Sequence, residues 1–214
     1  RVPAEAVARG NVVPIPAGVP YTAAALAEPL SCCLGAQEML GLGVGDVVLV
    51  VGAGPMGLMH LVLARLAGVR TAIVSGWPAT RLQWARACGA DIVVDPRHDD
   101  LKRRVLEVTD GRGADCVIVT AGAPEALEQA LELVSRRGRI HIFAGLPHDQ
   151  PFVRLDANLV HYRQLVVTGS TGSNLRQFRA AIDLIASGRL SVDLLISGMV
   201  PLDRFLDGVE RALT

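Results

Sequence analysis

Aromatic side chains are scarce in this chain, at 4% of residues against 50% hydrophobic overall. A core built from it must be aliphatic, as in parallel α/β sheets whose strands are buried on both faces. Surplus charge is missing too: 21 basic side chains stand against 21 acidic ones. That balance offers no electrostatic footprint for nucleic acid and no like-charge block for a disordered tail. The most apolar window, Leu40 to Met59, is interrupted by Asp46, Pro55 and six glycines. It reads as strand, turn and helix, so no membrane association is expected. The opening RVPAEAVARG lacks the basic-then-apolar order of a secretory signal, and none is expected.

Several chemistries are excluded by missing spacings. The four cysteines, Cys32, Cys33, Cys88 and Cys116, form no C-x-x-C pair. Free thiols and a reducing, cytoplasmic compartment are expected, and a structural zinc lobe built from this chain alone is excluded. His60, His98, His141, His148 and His161 make no H-x-x-x-H pair and are expected to be satisfied core or surface histidines. Ser75, Ser170 and Ser173 lie outside any G-x-S-x-G context, which dismisses serine-hydrolase chemistry.

What is present centres on Val47 to Gly57, VVLVVGAGPMG. Five apolar residues predict a buried strand that runs into Gly52, Gly54 and Gly57, spaced G-x-G-x-x-G. The apolar stretch from Met56 to Ala67 then predicts a buried helix stopped by Gly68. Gly52 permits the tight turn, Gly54 lets a pyrophosphate approach the backbone, and Gly57 lets helix and strand pack closely. Pro55 suits the first helical position, and the amides from Met56 onward form an anion site with the helix dipole behind them. A strand before and a helix after make this a dinucleotide cradle.

The rest of the chain alternates. Strands are predicted at Thr71–Ser75, Asp91–Val94, Cys116–Thr120, Arg139–Gly145, Gln164–Gly169 and Leu194–Val200. Helices are predicted at Ala79–Cys88, Leu101–Val108, Pro124–Val134, from a Ser173 cap to Gly188, and at Leu202–Leu213. Residues 1–20 carry four prolines and stand apart, with one edge strand expected at Asn11–Ile15. Thr22 is expected to cap a helix through Ala27, which Pro29 restarts through Leu42. The pattern predicts an α/β fold: a doubly wound parallel sheet of six or more strands, with helices on both faces. Residues 21–214 form this Rossmann domain.

An NAD-binding unit of this kind presents an acid at the end of its second strand to bind the ribose hydroxyls. Nineteen residues after Gly57 the chain reads Ser75-Gly76-Trp77 instead. An acid there would repel a 2′-phosphate, whereas Gly76 leaves room for one. Arg81, one helical turn on, could supply charge-assisted hydrogen bonds. NADP is therefore expected over NAD, with Arg81 on a merely solvated helix face as the alternative. Trp77 could flank the adenine. The nicotinamide half should lie along later strand ends: Thr120, Ala121 and Gly122, then Ala144, Gly145 and Leu146, then Gly169, Ser170 and Thr171.

The stretches ALAEPLSC (Ala25–Cys32), GVGDVVLVVGAGPMGL (Gly43–Leu58), CGADIVVD (Cys88–Asp95), TDGRGADCVIVTAG (Thr109–Gly122) and RRGRIHIFAG (Arg136–Gly145) carry a resemblance. It covers nearly all of the chain. The sequence resembles the zinc-dependent alcohol dehydrogenases of the medium-chain dehydrogenase/reductase family, in the sorbitol and threonine dehydrogenase branch. The resemblance implies hydride transfer between a nicotinamide cofactor and a secondary alcohol or polyol. It implies that Glu28, in the E-P-L motif, reaches the catalytic zinc or its water, with the other ligands coming from a β-rich catalytic domain. That domain's zinc cysteine and Gly-His-Glu motif are not in these residues, and residues 1–20 resemble its last piece. The chain alone is thus expected to bind cofactor, no zinc, and to turn over no alcohol. A homo-oligomer, dimer or tetramer, is expected, with Leu194–Val200 either pairing across a dimer axis or simply buried. A non-catalytic NADP-binding module and a zinc-free reductase of the quinone-reductase kind are the alternatives; Glu28-Pro29-Leu30 speaks against the latter.

Overall fold

The computed structural model describes residues 1–190 and 192–213; Ser191 and Thr214 lie outside them. In chain order the elements are α1 (Ala4–Ala8), α2 (Tyr21–Ala24), α3 (Ala27–Leu40), β1 (Val47–Val51), α4 (Pro55–Leu66) and β2 (Thr71–Ser75). Next come α5 (Ala79–Ala87), β3 (Ile92–Val94), α6 (Leu101–Val108), β4 (Ala114–Val119), α7 (Pro124–Leu133) and β5 (Val134–Ile142). The last are α8 (Ala157–Arg163), β6 (Val166–Gly169), α9 (Leu175–Ala186), two 3₁₀ turns (Val192–Leu195 and Leu202–Arg204) and α10 (Phe205–Leu213).

Among the described residues the strands make one sheet of six, in the order β3-β2-β1-β4-β5-β6, with every pairing parallel. That order is the doubly wound Rossmann arrangement, and the chain changes direction across the sheet between β1 and β4. β1 is buried along its whole length, as a central parallel strand requires. Alternate residues face opposite layers. Val48, Val50, Cys116 and Ile118 pack with Leu30, Leu61 and Ile182 from α3, α4 and α9. Leu49, Val51, Val117 and Val119 pack with Val105, Leu127 and Leu131 from α6 and α7. The register sets Val51 level with Ser75 and Val119. The next residues on each strand, Gly52, Gly76 and Thr120, therefore gather at one edge.

At the opposite edge, the Arg139 guanidinium donates to the Leu40 and Gly41 carbonyls at 2.9 and 2.8 Å and to Asp46 at 2.8 Å. One side chain thus satisfies the end of α3 and ties it to the sheet. The four cysteines are free thiols; burial pushes the Cys116 thiol up to about 12.

Local expectations fail where burial and turn chemistry override pattern. Asn11–Ile15 is not a strand, and α1 forms in the same proline-rich segment. α2 starts after Pro20 without a side-chain cap from Thr22, and α3 is a separate helix. Leu194–Val200 is a 3₁₀ turn followed by irregular chain, not a strand. The cap of α9 is Asn174, not Ser173. Asn174 accepts from the Gln177 amide while the Gln177 side chain accepts from the Asn174 amide, each at 3.0 Å. Ser173 instead shares a hydrogen bond with Ser31 at 2.6 Å. Asn174→Ala should therefore cost about 1 kcal/mol, read as a fall in the thermal midpoint. An unchanged midpoint would deny the capping box that weight.

Candidate functional site

The edge where β1, β2 and β4 end is built by glycines that do different work. Gly52 has φ +118°, and a Cβ there would collide with Thr120 Oγ1. Its amide donates to the Ser75 carbonyl at 2.7 Å, and the Thr120 hydroxyl donates to the Val51 carbonyl at 3.0 Å. The turn is thereby tied to both neighbouring strands. A Cβ on Gly57 would overlap the Gly52 carbonyl, so α4 sits directly against the turn. Gly54 differs: its φ is −78°, it is the residue before α4, and a Cβ there would meet nothing within 4 Å. The space above it is an open cradle. Pro55 begins the helix, and the amides of Met56 and Gly57 belong to the first turn, where no carbonyl of the helix can reach them. An anion seated over Gly54 would meet those amides and the positive helix end.

The cradle opens into a cleft of about 570 Å³ lined by Gly52, Gly54, Ser75, Gly76, Trp77, Arg81, Thr120 and Ala121, with Pro96, Glu125 and Gln129 across from them. Gly76 has a packing reason of its own. A Cβ would lie 2.7 Å from both the amide nitrogen and the Cβ of Ala53. The result is still a strand end without a carboxylate. Beyond it, Arg97 lies over the Trp77 ring, 5.9 Å from its centroid. Arg97 also grips Asp95 at 2.6 Å, and those hydrogen bonds hold the Asp95 carboxyl down at about 2. This second arginine, beside Trp77 at the cleft, was not singled out from the sequence.

On the other flank of α4, a hollow of about 250 Å³ is lined by Glu28, Pro29, Cys32, Met56, Phe143, Ser170, Thr171 and Gly172. Glu28 and Cys32 share one helix face, the thiol donating to Glu28 Oε1 at 3.4 Å. Burial, and then the hydrogen bond and charge of Glu28, raise the Cys32 thiol above its ordinary value. Two buried imidazoles stand behind this wall. His141 is paired with Thr168 and Ser170, at 2.9 Å each. His60 lies edge-on to Phe143, 4.5 Å between centroids, and meets Gln37 through Nδ1 at 3.3 Å. The expectation of a satisfied core histidine fails for His60: its Nε2 has no partner among the described residues. Burial, then repulsion from His141, holds it neutral, down to about 3.

A larger hollow of about 880 Å³ lies at the far edge of the sheet, among Arg112, Asp115, Arg136 and Arg163. Arg112 donates to the Thr109 carbonyl just past α6, and Arg163 lies in the last turn of α8 and donates to the Val134 carbonyl. These arginines complement helix ends, and the hollow is remote from the glycine turn.

A family model described as zinc-binding dehydrogenase matches residues 55–187. The chain belongs to this family. It is 35% identical over 183 residues to the L-threonine 3-dehydrogenase of Pyrococcus furiosus, covering 85% of this chain and 51% of that protein. It is 32% identical over 176 residues to the sorbitol dehydrogenase of Halalkalibacterium halodurans, covering 80% and 50%. Among solved structures, a Sinorhizobium meliloti protein of the zinc-binding dehydrogenase type, bound to NADP, superposes with a TM-score of 0.81 at 34% identity, over 86% of this chain and 54% of that one. The chain spans about half the length of the curated relatives it matches, as the cofactor-binding part.

In this zinc-binding dehydrogenase chain the expected residues fall into three groups. Gly52, Gly54, Ser75, Gly76, Arg81, Thr120 and Ala121 line the larger cleft beside the turn. Glu28, Met56, Ser170 and Thr171 line the smaller hollow. Pro55 and Gly57, in the first turn of α4, line neither, nor do Gly122, Ala144, Gly145, Leu146 and Gly169. These last five sit at or just past the ends of β4, β5 and β6, where a Cβ on Gly122 would come within 2.9 Å of the Gly145 carbonyl. The open space over Gly54 fits a diphosphate. Among the described residues no three His, Cys, Asp or Glu side chains gather. No helix among them is long and apolar enough to cross a membrane.

Proposed function

We propose that this chain is the nicotinamide-dinucleotide-binding part of a zinc-dependent alcohol or polyol dehydrogenase, and that it takes NADP(H) in preference to NAD(H). The observation that carries the reading is the cleft itself: an open cradle at Gly54 leads to a second-strand end that offers Ser75 and Gly76 and no carboxylate, with Arg81 of α5 lining the same cleft. In this reading the amides of Met56 and Gly57, after Pro55, hold the diphosphate. Ser75 and Gly76 face the adenosine ribose, and Arg81 takes the 2′-phosphate. Thr120, Ala121 and Gly122, with Ala144, Gly145 and Leu146, border the path to the nicotinamide, which ends beside Gly169, Ser170 and Thr171. When bound, the nicotinamide supplies the hydride donor or acceptor for alcohol chemistry. Glu28 faces that end and serves the zinc together with ligands from the rest of the whole protein. Residues 1–20 are read as the last piece of a catalytic-type domain. Assembly into a homodimer or tetramer belongs to the same reading, supported by the exposed Val166 and Val167 on the edge strand β6.

Titration of the chain with NADPH and with NADH tests the cofactor choice, and equal or NADH-favouring affinities would refute it. Arg81→Ala should weaken NADPH by about 1.5–3 kcal/mol, the value of a hydrogen bond to a charged group, and leave NADH nearly unchanged. A parallel loss for both nucleotides would assign Arg81 to the fold instead of the 2′-phosphate.

A further inference from the structure

We infer that His141 is a positioning residue that sets the Ser170 hydroxyl as a hydrogen-bond acceptor for the carboxamide NH₂ of the nicotinamide. The inference rests on the reading above, that the hollow beside Glu28 receives this ring.

The argument runs along a chain of three hydroxyl and imidazole contacts. His141 is fully buried in β5, and both ring nitrogens meet hydroxyls of the neighbouring segment: Nδ1 meets Thr168 Oγ1 and Nε2 meets Ser170 Oγ, each at 2.9 Å. Burial lowers the imidazole's proton affinity, so the ring is neutral, with one nitrogen donating and the other accepting. Thr168 decides which. Its hydroxyl has a carbonyl to donate to, that of Ile140 at 3.3 Å, and a hydroxyl carries only one proton. Thr168 therefore accepts from His141 Nδ1–H. Nε2 is left bare and accepts a hydrogen bond from the Ser170 hydroxyl.

Ser170 lines the hollow with Glu28, Cys32 and Phe143. With its proton committed to the buried ring, only its lone pairs remain for a ligand. An acceptor of fixed direction suits an amide NH₂ and repels a carboxylate. The pair thus selects the amide form of the cofactor over its nicotinic-acid counterpart. Cross-strand placement is what makes this possible: Ile142 of β5 pairs with Gly169 of β6, which sets Ser170 beside the end of the histidine's strand.

Two measurements on the full chain test the inference. The first is the ¹⁵N spectrum of the histidine rings, which is expected to show His141 protonated at Nδ1 and bare at Nε2; the opposite tautomer overturns the proposal without any variant. The second is binding of NADPH, its nicotinic-acid analogue and 2′,5′-ADP, which lacks the ring. Ser170→Ala should weaken NADPH about three- to tenfold, the range for one neutral hydrogen bond, and leave 2′,5′-ADP unchanged. It should also shrink the preference for amide over acid. Thr168→Val keeps both His141 and Ser170 but removes the hydroxyl that selects the tautomer, and should reduce the same preference. If 2′,5′-ADP binds and the preference survives both substitutions, the positioning role is wrong while the dinucleotide reading stands. If the parent chain binds neither NADPH nor 2′,5′-ADP, both fall together.

Discussion

Gly54→Asp is expected to fold as stably as the parent chain and to lose NADPH by about a hundredfold or more. The two effects separate because Gly54 packs against nothing in the fold, while the proposed diphosphate lies over it. Its φ of −78° is open to any residue, and a Cβ there meets nothing within 4 Å. As the residue before α4, an aspartate would cap the first turn and complement the helix dipole, a gain of a few tenths to about 1 kcal/mol. The same carboxylate would stand where the diphosphate is proposed to sit. Two unit charges about 4 Å apart interact by about 4 kcal/mol at the effective dielectric of a protein surface, and each 1.4 kcal/mol is about tenfold in affinity. Gly54→Asn keeps the cap and the bulk but not the charge. It should lose distinctly less affinity, so comparing the two isolates the electrostatic part. Thermal unfolding and calorimetric titration are the measurements. An aspartate variant that unfolds normally and still binds NADPH with parental affinity would remove the diphosphate from the cradle.

Why the glycine turn was readable in advance, and its surroundings less so, follows from how each is encoded. β1 has the predicted bounds because its five consecutive apolar residues suit a central strand, and β2 has them because its apolar centre, Ala72 to Val74, is set between Thr71 and Ser75 and followed by Gly76. α6 does too, since Asp100 caps it and its stripe is periodic. β5 begins earlier than expected, at Val134, because Val134 already pairs with Ala114 before an irregularity, with Arg137 at φ +59°, shifts the register to Cys116 opposite Arg139. α8 went unpredicted although it carried a signal: Asp156 accepts from the Asn158 amide at 2.9 Å, an ordinary N-cap. Leu194–Val200 failed for a different reason. Only Leu194 and Leu195 pack, partly buried in a 3₁₀ turn against the layer of α3 and α4, while Ser197 to Met199 are exposed; apolar composition alone does not distinguish that from a strand. The capping of α9 shows the limit of single-residue signals, because Ser173 and Asn174 are both good caps and only the Gln177 reciprocity chooses between them.

The site divides the same way. Residues that act through backbone, such as Gly52, Gly54 and Gly57, announce themselves by local spacing. Residues that act through partners on other strands do not. Arg97 reaches Trp77 from the segment after β3, and His141 reaches Ser170 across 29 positions. No spacing rule joins either pair. Gly76 was read as room for a phosphate, and its close approach to Ala53 adds a packing demand invisible in the sequence. Restoring an acid at Gly76 would therefore probe packing as much as cofactor choice, which is why Arg81 is the cleaner test.

Gly57→Ala should be the most damaging single methyl group in the turn, costing about 3 kcal/mol or more. Two effects oppose each other here. Replacing a glycine inside a helix by alanine gains about 1 kcal/mol from propensity alone, and α4 already includes position 57. Against that, the added Cβ would overlap the Gly52 carbonyl and press Thr120 Oγ1 at 3.2 Å. Gly52 is pinned by its amide to Ser75 at 2.7 Å, so the obstacle is backbone held by a neighbouring strand and not a side chain that can turn away. Overpacking of well-filled sites costs about 1–3 kcal/mol even where neighbours adjust; here the adjustment must part α4 from β1 along the buried face that holds Leu58, Met59 and Leu61. The packing loss outweighs the propensity gain. For a domain of this size, each kcal/mol moves the thermal midpoint by about 2–4 °C, so a fall of about 6–12 °C is expected. NADPH binding should fail with it, in contrast to Gly54→Asp, where binding fails and the midpoint holds. A Gly57→Ala protein as stable as the parent would mean that the helix and the turn do not meet as closely as the glycine spacing requires.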